Sequence, residues 1–179
     1  MKMQIYGYGG SGCTALRRSL GLSGNHPKKH SRKPIVSGYK AGYIYGDPRN
    51  AILSFMRRNE NTPGGHWVIT HGISLGVRVK PSLTLDKYLE QPDVFKLEDH
   101  FDNWTNHTYN GNMLFIHYET MCDHLDEISE FFGRPHLSLP HHKRISDFNT
   151  YPTKVKDRLT IMFSTLLEKI KAMPDLLIA

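Results

Sequence analysis

Apolar residues along this chain fall into short runs and helical stripes that take turns. Gln4-Ile5-Tyr6-Gly7-Tyr8 reads as a short strand running into glycines. Thr14 to Leu20 predicts a helix, with Ala15, Leu16 and Leu20 on its apolar face and Arg17 and Arg18 beside it. Gly21 to Lys33 is polar, basic and punctuated by glycine and proline, which predicts a loop. Gly42 to Tyr45 is the second strand expected. Asp47-Pro48 then starts a helix, because proline already has the helical φ and an aspartate before it marks a helix start. That helix runs to about Arg58, with Ile52, Leu53, Phe55 and Met56 as its apolar side.

Asn59 to Gly65 is rich in turn formers, and His66 to Lys80 reads as short β-like pieces among glycines. Ser82 to Glu90 suits a helix, and a second short helix is expected around Phe101 and Trp104. Met113-Leu114-Phe115-Ile116 is the clearest buried strand, needing cover on both faces. Met121, Leu125, Ile128 and Phe132 make one stripe of a helix that Gly133 ends. After a polar, basic stretch from His141 to Tyr151, Leu159, Phe163, Leu166 and Ile170 mark a last helix over Val155 to Ile170.

Strands alternating with helices imply one α/β domain spanning residues 1–179, with helices on both faces of a small central parallel sheet. Ligands of such sheets sit beyond the carboxyl ends of the strands. Three strand-to-helix junctions are expected to meet there: the first glycine loop, Gly46-Asp47 and Tyr118-Glu119.

Composition agrees with a globular chain: of 179 residues, 39% are apolar and 22% charged. The net charge of +6, with eleven histidines in reserve, favours anionic partners without selecting among nucleotides, acidic sugars, nucleic acid and membrane surface. Cys13 and Cys122 make no disulfide framework. No stretch has the length of a signal peptide's apolar core or of a membrane span, so a cytoplasmic setting is expected.

Residues 7 to 14 read Gly-Tyr-Gly-Gly-Ser-Gly-Cys-Thr. Glycines let a backbone turn its amides inward on an anion, and the next helix adds the amides of its first turn. Ser11 and Thr14 can add hydroxyls. Gly7, Gly12 and Thr14 fit the nucleotide-triphosphate pattern GxxxxGK[ST], but Cys13 replaces its lysine, which argues against ordinary ATP or GTP hydrolysis. A glycine-rich turn that binds nothing is the alternative. Cys13 stands where a helix N-terminus can activate a thiol, yet no base partner is evident.

Residues 6 to 20, YGYGGSGCTALRRSL, resemble the loop of cytosolic and carbohydrate sulfotransferases that wraps the 5′-phosphate side of 3′-phosphoadenosine 5′-phosphosulfate (PAPS). Residues 43 to 58, YIYGDPRNAILSFMRR, are similar to that family's second signature, with Ser54 at the serine that helps hold the 3′-phosphate. Segments 83–104 and 112–133 resemble the family's later stretches, including a tryptophan and a Tyr-Glu pair, so that the likeness covers most of residues 3 to 133. It implies a P-loop-like three-layer sandwich, PAPS as the sulfo donor, and Gly9, Gly10, Ser11, Gly12, Cys13, Thr14, Arg49, Ser54 and Arg144 as the residues around it. Two departures stand out: Gly10 replaces a lysine and Gly46 an arginine, and both lost residues meet phosphate or developing charge in the family. Arg17, Arg18 and the 28–33 run are available as replacement charge.

The family commonly uses a histidine between the first helix and the second signature as general base; His30 and His26 stand there. His66 and His71 are further candidates to line an acceptor pocket. No metal is expected: the histidines at 136, 141 and 142 are dense, but no set of four placed ligands is evident. The expected function is therefore sulfo transfer from PAPS to a hydroxyl or amine of a small-molecule or carbohydrate acceptor. A non-catalytic nucleotide- or polyanion-binding protein is the alternative. Nucleic acid is disfavoured, since no stacking module is evident.

Overall fold

The computed structural model describes residues 2–22, 29–35, 38–139 and 145–179. Its core is a four-stranded sheet in chain order, β1 (Lys2–Tyr6), β2 (Tyr39–Tyr45), β3 (Met113–His117) and β4 (Leu176–Ile178). β1, β2 and β3 run parallel, with Tyr6 opposite Tyr43 and Tyr43 opposite Phe115. β4 is antiparallel to β3, so the sheet is mixed where the sequence predicted a parallel one. The added strand covers β3's outer edge, and all four residues of Met113-Leu114-Phe115-Ile116 are buried inside the sheet.

Side chains of a strand alternate between faces. Ile5, Ile44, Leu114 and Ile116 point to one side, where α1 (Cys13–Ser19) and α6 (Leu125–Phe132) cover them with Leu16, Ile128 and Phe132. Tyr6, Tyr43, Tyr45 and Phe115 point to the other. There α2 (Pro48–Glu60), α5 (Leu97–Thr105) and α8 (Ser164–Ala172) contribute Ile52, Phe55, Trp104 and Leu166. Helices α3 (His66–Ser74), α4 (Leu85–Leu89) and α7 (Thr153–Met162) complete that layer, giving helices on both faces of a small sheet. No helix among the described residues is long and apolar enough to cross a membrane.

Most helices begin and end near their predicted places. Asp47 caps α2 by accepting the Arg49 N–H at 2.8 Å. The β-like reading of 66–80 is corrected: its first half is α3. Trp67, Val68, Ile69 and Ile73 favour strands locally, but packing against Phe55 of α2 decides the matter (Trp67–Phe55 centroids 5.4 Å). Gly72 helps, because a Cβ there would lie 2.8 Å from Val79 Cγ2, where the chain folds back on α3. The last predicted helix is two, broken at the buried Phe163. Residues 121–124 form a 3₁₀ turn ahead of α6 rather than its first turn.

Trp104 joins this core to the chain that passes over the first loop. Its ring lies 4.6 Å from Tyr6 and 5.1 Å from Tyr43, and its Nε1–H donates to Ser31 O at 2.8 Å. Trp104→Phe keeps an aromatic in the site and removes that donor. It is expected to lower the unfolding free energy by about 1–3 kcal/mol, the range for a carbonyl that loses its partner. Urea denaturation at neutral pH measures it, and an unchanged midpoint would show that Ser31 is held by other means.

Candidate functional site

Beyond Tyr6 the chain leaves β1 and turns through the glycines. Gly9, Gly10 and Gly12 have φ of 94°, 69° and 74°. The need for glycine is plainest at position 10: a Cβ there would sit 2.8 Å from Ala51 Cα, so this turn packs directly on the α2 backbone. On the other side a Cβ at Gly12 would meet the Tyr118 ring at 2.6 Å.

Two buried imidazoles hold the loop's carbonyls. His30 Nδ1–H donates to Gly7 O at 2.6 Å, and His71 Nε2–H donates to Tyr8 O at 2.9 Å. The Gly7 N–H in turn donates to Lys29 O at 3.1 Å. The two rings lie 4.6 Å apart, and Trp67 stacks on His71 at 4.6 Å. Burial pushes His30 down to about 4, helped by the positive Lys29, Arg58 and Arg17. Burial likewise holds His71 well below the ordinary imidazole value. Both are neutral donors at neutral pH. The buried Tyr8 hydroxyl ties the loop to the second junction, donating to Gly46 O and accepting the Gly46 N–H. At the third junction Glu119 Oε1 accepts the Asp47 N–H at 3.3 Å.

Over the loop opens a cavity of about 930 Å³. The loop and α1 form its floor with Gly9, Gly10, Gly12, Cys13, Thr14, Ala15, Arg18 and Ser19; Lys29, His30 and Tyr118 flank it. The far wall is the end of α2 with Arg58 and Thr62, and the face of α3 with His66, Trp67, Thr70, His71 and Ser74. Lys29 Nζ donates to Thr14 Oγ1 at 3.4 Å, and burial lowers its ammonium from the ordinary value. The Arg58 guanidinium lies over the Trp67 ring at 5.3 Å. No carboxylate is among the described lining residues. The wall therefore presents three cations, hydroxyls and a glycine backbone, equipment for a ligand with several negative charges.

Of the residues the sequence singled out, Gly9, Gly10, Gly12, Cys13, Thr14 and His30 line this cavity, as do His66 and His71. Ser11, Arg49 and Ser54 do not. Ser11 is buried beneath the loop and donates to Ile44 O at 3.3 Å. The Arg49 guanidinium is chelated by Asp47, with Nη2 2.8 Å from Oδ2, and lies 4.0 Å over the Phe148 ring. Ser54 is buried in α2. His26 and Arg144 lie outside the described residues, as do Lys28 and the histidines at 141 and 142. The Cys13 thiol donates to Tyr6 O at 3.4 Å, and burial pushes its pKa up, which keeps it a thiol rather than an activated thiolate. Arg17 turns away and donates to Gln4 Oε1 at 2.9 Å, leaving Arg18 and Lys29 as the lining cations foreseen. The sequence reading missed Arg58, which carried no signal beyond its place at a helix end, and Thr70 and Ser74, which the β-like reading of α3 hid. Among the described residues no group of three or more His, Cys, Asp or Glu side chains is placed to hold a metal.

No protein-family model, no curated protein and no solved structure matches this chain.

The buried imidazoles make stability depend on pH. His100, 3.0 Å from the Tyr43 hydroxyl, is pushed by burial down to about 3. The folded values of His30, His71 and His100 lie below the 6.5 of an exposed imidazole. Between that value and the folded one, the unfolded chain binds more protons, so stability is complete above pH ~6.5 and falls as pH falls. Each histidine contributes about 1.4 kcal/mol per pH unit within its window. The melting temperature is expected to drop steeply from pH ~6.5 toward ~4.5; a flat profile would show that these rings are not kept neutral by the fold.

Proposed function

We propose that the chain binds PAPS over its glycine loop and transfers the sulfo group to a hydroxyl or amine of a small-molecule or carbohydrate acceptor. The fold in this reading is a P-loop-like three-layer sandwich. One observation carries it: the cavity on the loop gathers Arg18, Lys29 and Arg58 and includes no carboxylate among its described lining residues. Nucleoside-triphosphate chemistry relies on magnesium placed by acidic side chains, whereas the sulfo group has a single charge and its transfer needs only positioned cations and amides. The resemblance of 6–20 and 43–58 to the sulfotransferase signatures points the same way.

In the proposed step the acceptor oxygen forms a bond to sulfur as the bond from sulfur to the 5′-phosphate oxygen breaks. The electron pair of the broken bond stays on that oxygen. The acceptor's proton passes to His30, whose Nδ1–H is committed to Gly7 O and whose Nε2 is the ring's acceptor. The products are the sulfated acceptor and adenosine 3′,5′-bisphosphate. With a pKa of about 4, His30 is always in its basic form at neutral pH but takes a proton with little driving force.

A second reading, ligand binding without turnover, is favoured by one feature of the same site. Of the two residues that the resemblance places on the 3′-phosphate, Arg49 is chelated by Asp47 and Ser54 is buried, and neither lines the cavity. Calorimetry with adenosine 3′,5′-bisphosphate in the presence of a chelator tests both readings. Binding is expected without magnesium, and Arg58→Ala is expected to weaken it on the order of tenfold, as the loss of one charged contact does. Binding with no transfer to alcohols, amines or sugars selects the second reading; no binding sinks both.

A further inference from the structure

The loop position where the resemblance calls for a lysine cannot hold one. Gly10 has φ +69°, and its Cβ would lie 2.8 Å from Ala51 Cα and 3.2 Å from Ala51 Cβ. A side chain there would start inside α2. A different lysine, Lys29, is held at the same loop through Gly7.

Lys29 is fixed to the loop by its backbone and by its neighbour. Its carbonyl accepts the Gly7 N–H at 3.1 Å, and the next residue, His30, donates to Gly7 O at 2.6 Å. One glycine residue thereby has both of its backbone polar groups, N–H and C=O, bonded by residues 29 and 30. Ser31, the residue after, is held by Trp104 Nε1 at 2.8 Å. With the backbone so constrained, the Lys29 side chain reaches across the floor of the cavity to Thr14 Oγ1 at 3.4 Å, at the loop's far end.

Resting on the reading of this cavity as a PAPS site, we propose that Lys29, delivered from the segment after α1, is the catalytic cation of the glycine loop. It stands in for the lysine that Gly10 excludes. In the transfer step its ammonium meets the 5′-phosphate oxygen that keeps the electron pair as the S–O bond breaks. Arg18 and Arg58 line the cavity too, but Lys29 is the one of these three cations whose backbone, and whose neighbour His30, bond to Gly7 of the loop, with Ser31 anchored next to them on Trp104. The segment has anchors besides the ammonium, at Gly7, His30 and Trp104, so a chemical role for the ammonium can be separated from a structural one by experiment.

Lys29→Gln removes the charge, leaves a polar side chain one atom shorter and keeps the backbone contacts, and Lys29→Arg keeps the charge. With saturating donor, single-turnover sulfo transfer is expected to slow in Lys29→Gln by roughly 10²–10³, as for a lost oxyanion donor. Its melting temperature should be unchanged, and its affinity for adenosine 3′,5′-bisphosphate should fall by much less than its rate. Lys29→Arg should recover part of the rate. Gly10→Lys should not rescue Lys29→Gln, and should itself melt lower. A Lys29→Gln rate within threefold of the parent would overturn the proposal. So would rescue by Gly10→Lys. If the parent neither binds the bisphosphate nor transfers sulfo groups, the PAPS reading fails by itself. Inorganic pyrophosphate then serves as the probe of Lys29 as the loop's cation. A more than tenfold loss of pyrophosphate affinity in Lys29→Gln would keep that part of the inference; an unchanged affinity, or no pyrophosphate binding by the parent, would remove it.

Discussion

A glycine turn packed against a core buries some of its own carbonyls, and buried carbonyls need donors. That constraint organises this molecule. Gly7 O and Tyr8 O face the protein, where water is excluded, and the donors they find are His30 and His71. An imidazole suits the task because it can donate a hydrogen bond while uncharged. A lysine or arginine there would be a buried cation beside Arg58 and Lys29, and desolvation would oppose it. The same burial lowers the imidazole values and makes the loop's support sensitive to acid. The cavity and the acid lability are two results of one arrangement.

Much of this fold was legible from local pattern, because some signals are settled within a few residues. Asp47-Pro48 starts α2 by chemistry that needs no tertiary partner, and four apolar residues at 113–116 can only be covered on both faces. What failed was settled at a distance. Trp67, Val68 and Ile69 favour a strand by themselves, and only Phe55 and the return of Val79 to Gly72 make them a helix. β4 is three residues with no pattern of its own, recruited by the open edge of β3.

The site divides in the same way. Eight glycine-loop and histidine positions named from the sequence do line the cavity, five of them in the loop, since a loop is a contiguous object that a sequence can display. Direction was not legible. Ser11 lies in the middle of the loop, yet its side chain is buried and donates to Ile44 O of β2. Arg49 looks like a free cation beside a vacant arginine position, but it is two residues from Asp47 and the chelate forms at once. Arg58 also has an acid two residues away, Glu60, yet it lies near the end of α2 at the cavity wall, over Trp67. Which cations remain for a ligand depends on where carboxylates lie in space.

The position of the loop between two cores is what makes its geometry durable. Tyr6 and Tyr8 belong to the aromatic core under α2 and α5, while Ile5, Cys13 and Leu16 belong to the aliphatic core under α1 and α6. The glycines therefore cross from one face of the sheet to the other, with both ends packed. A loop anchored at one end can relax away from its ligand, and ordering it then costs binding energy. Here the ends are set by two separate hydrophobic faces. Tyr8 adds a tie to Gly46, and Tyr118 closes over Gly12. The loop backbone, its carbonyl donors and the flanking cations are held by packing on both sides, and such fixed placement is what the proposed anion site would need to discriminate by charge and shape. The glycines make the bend possible; the two cores hold it.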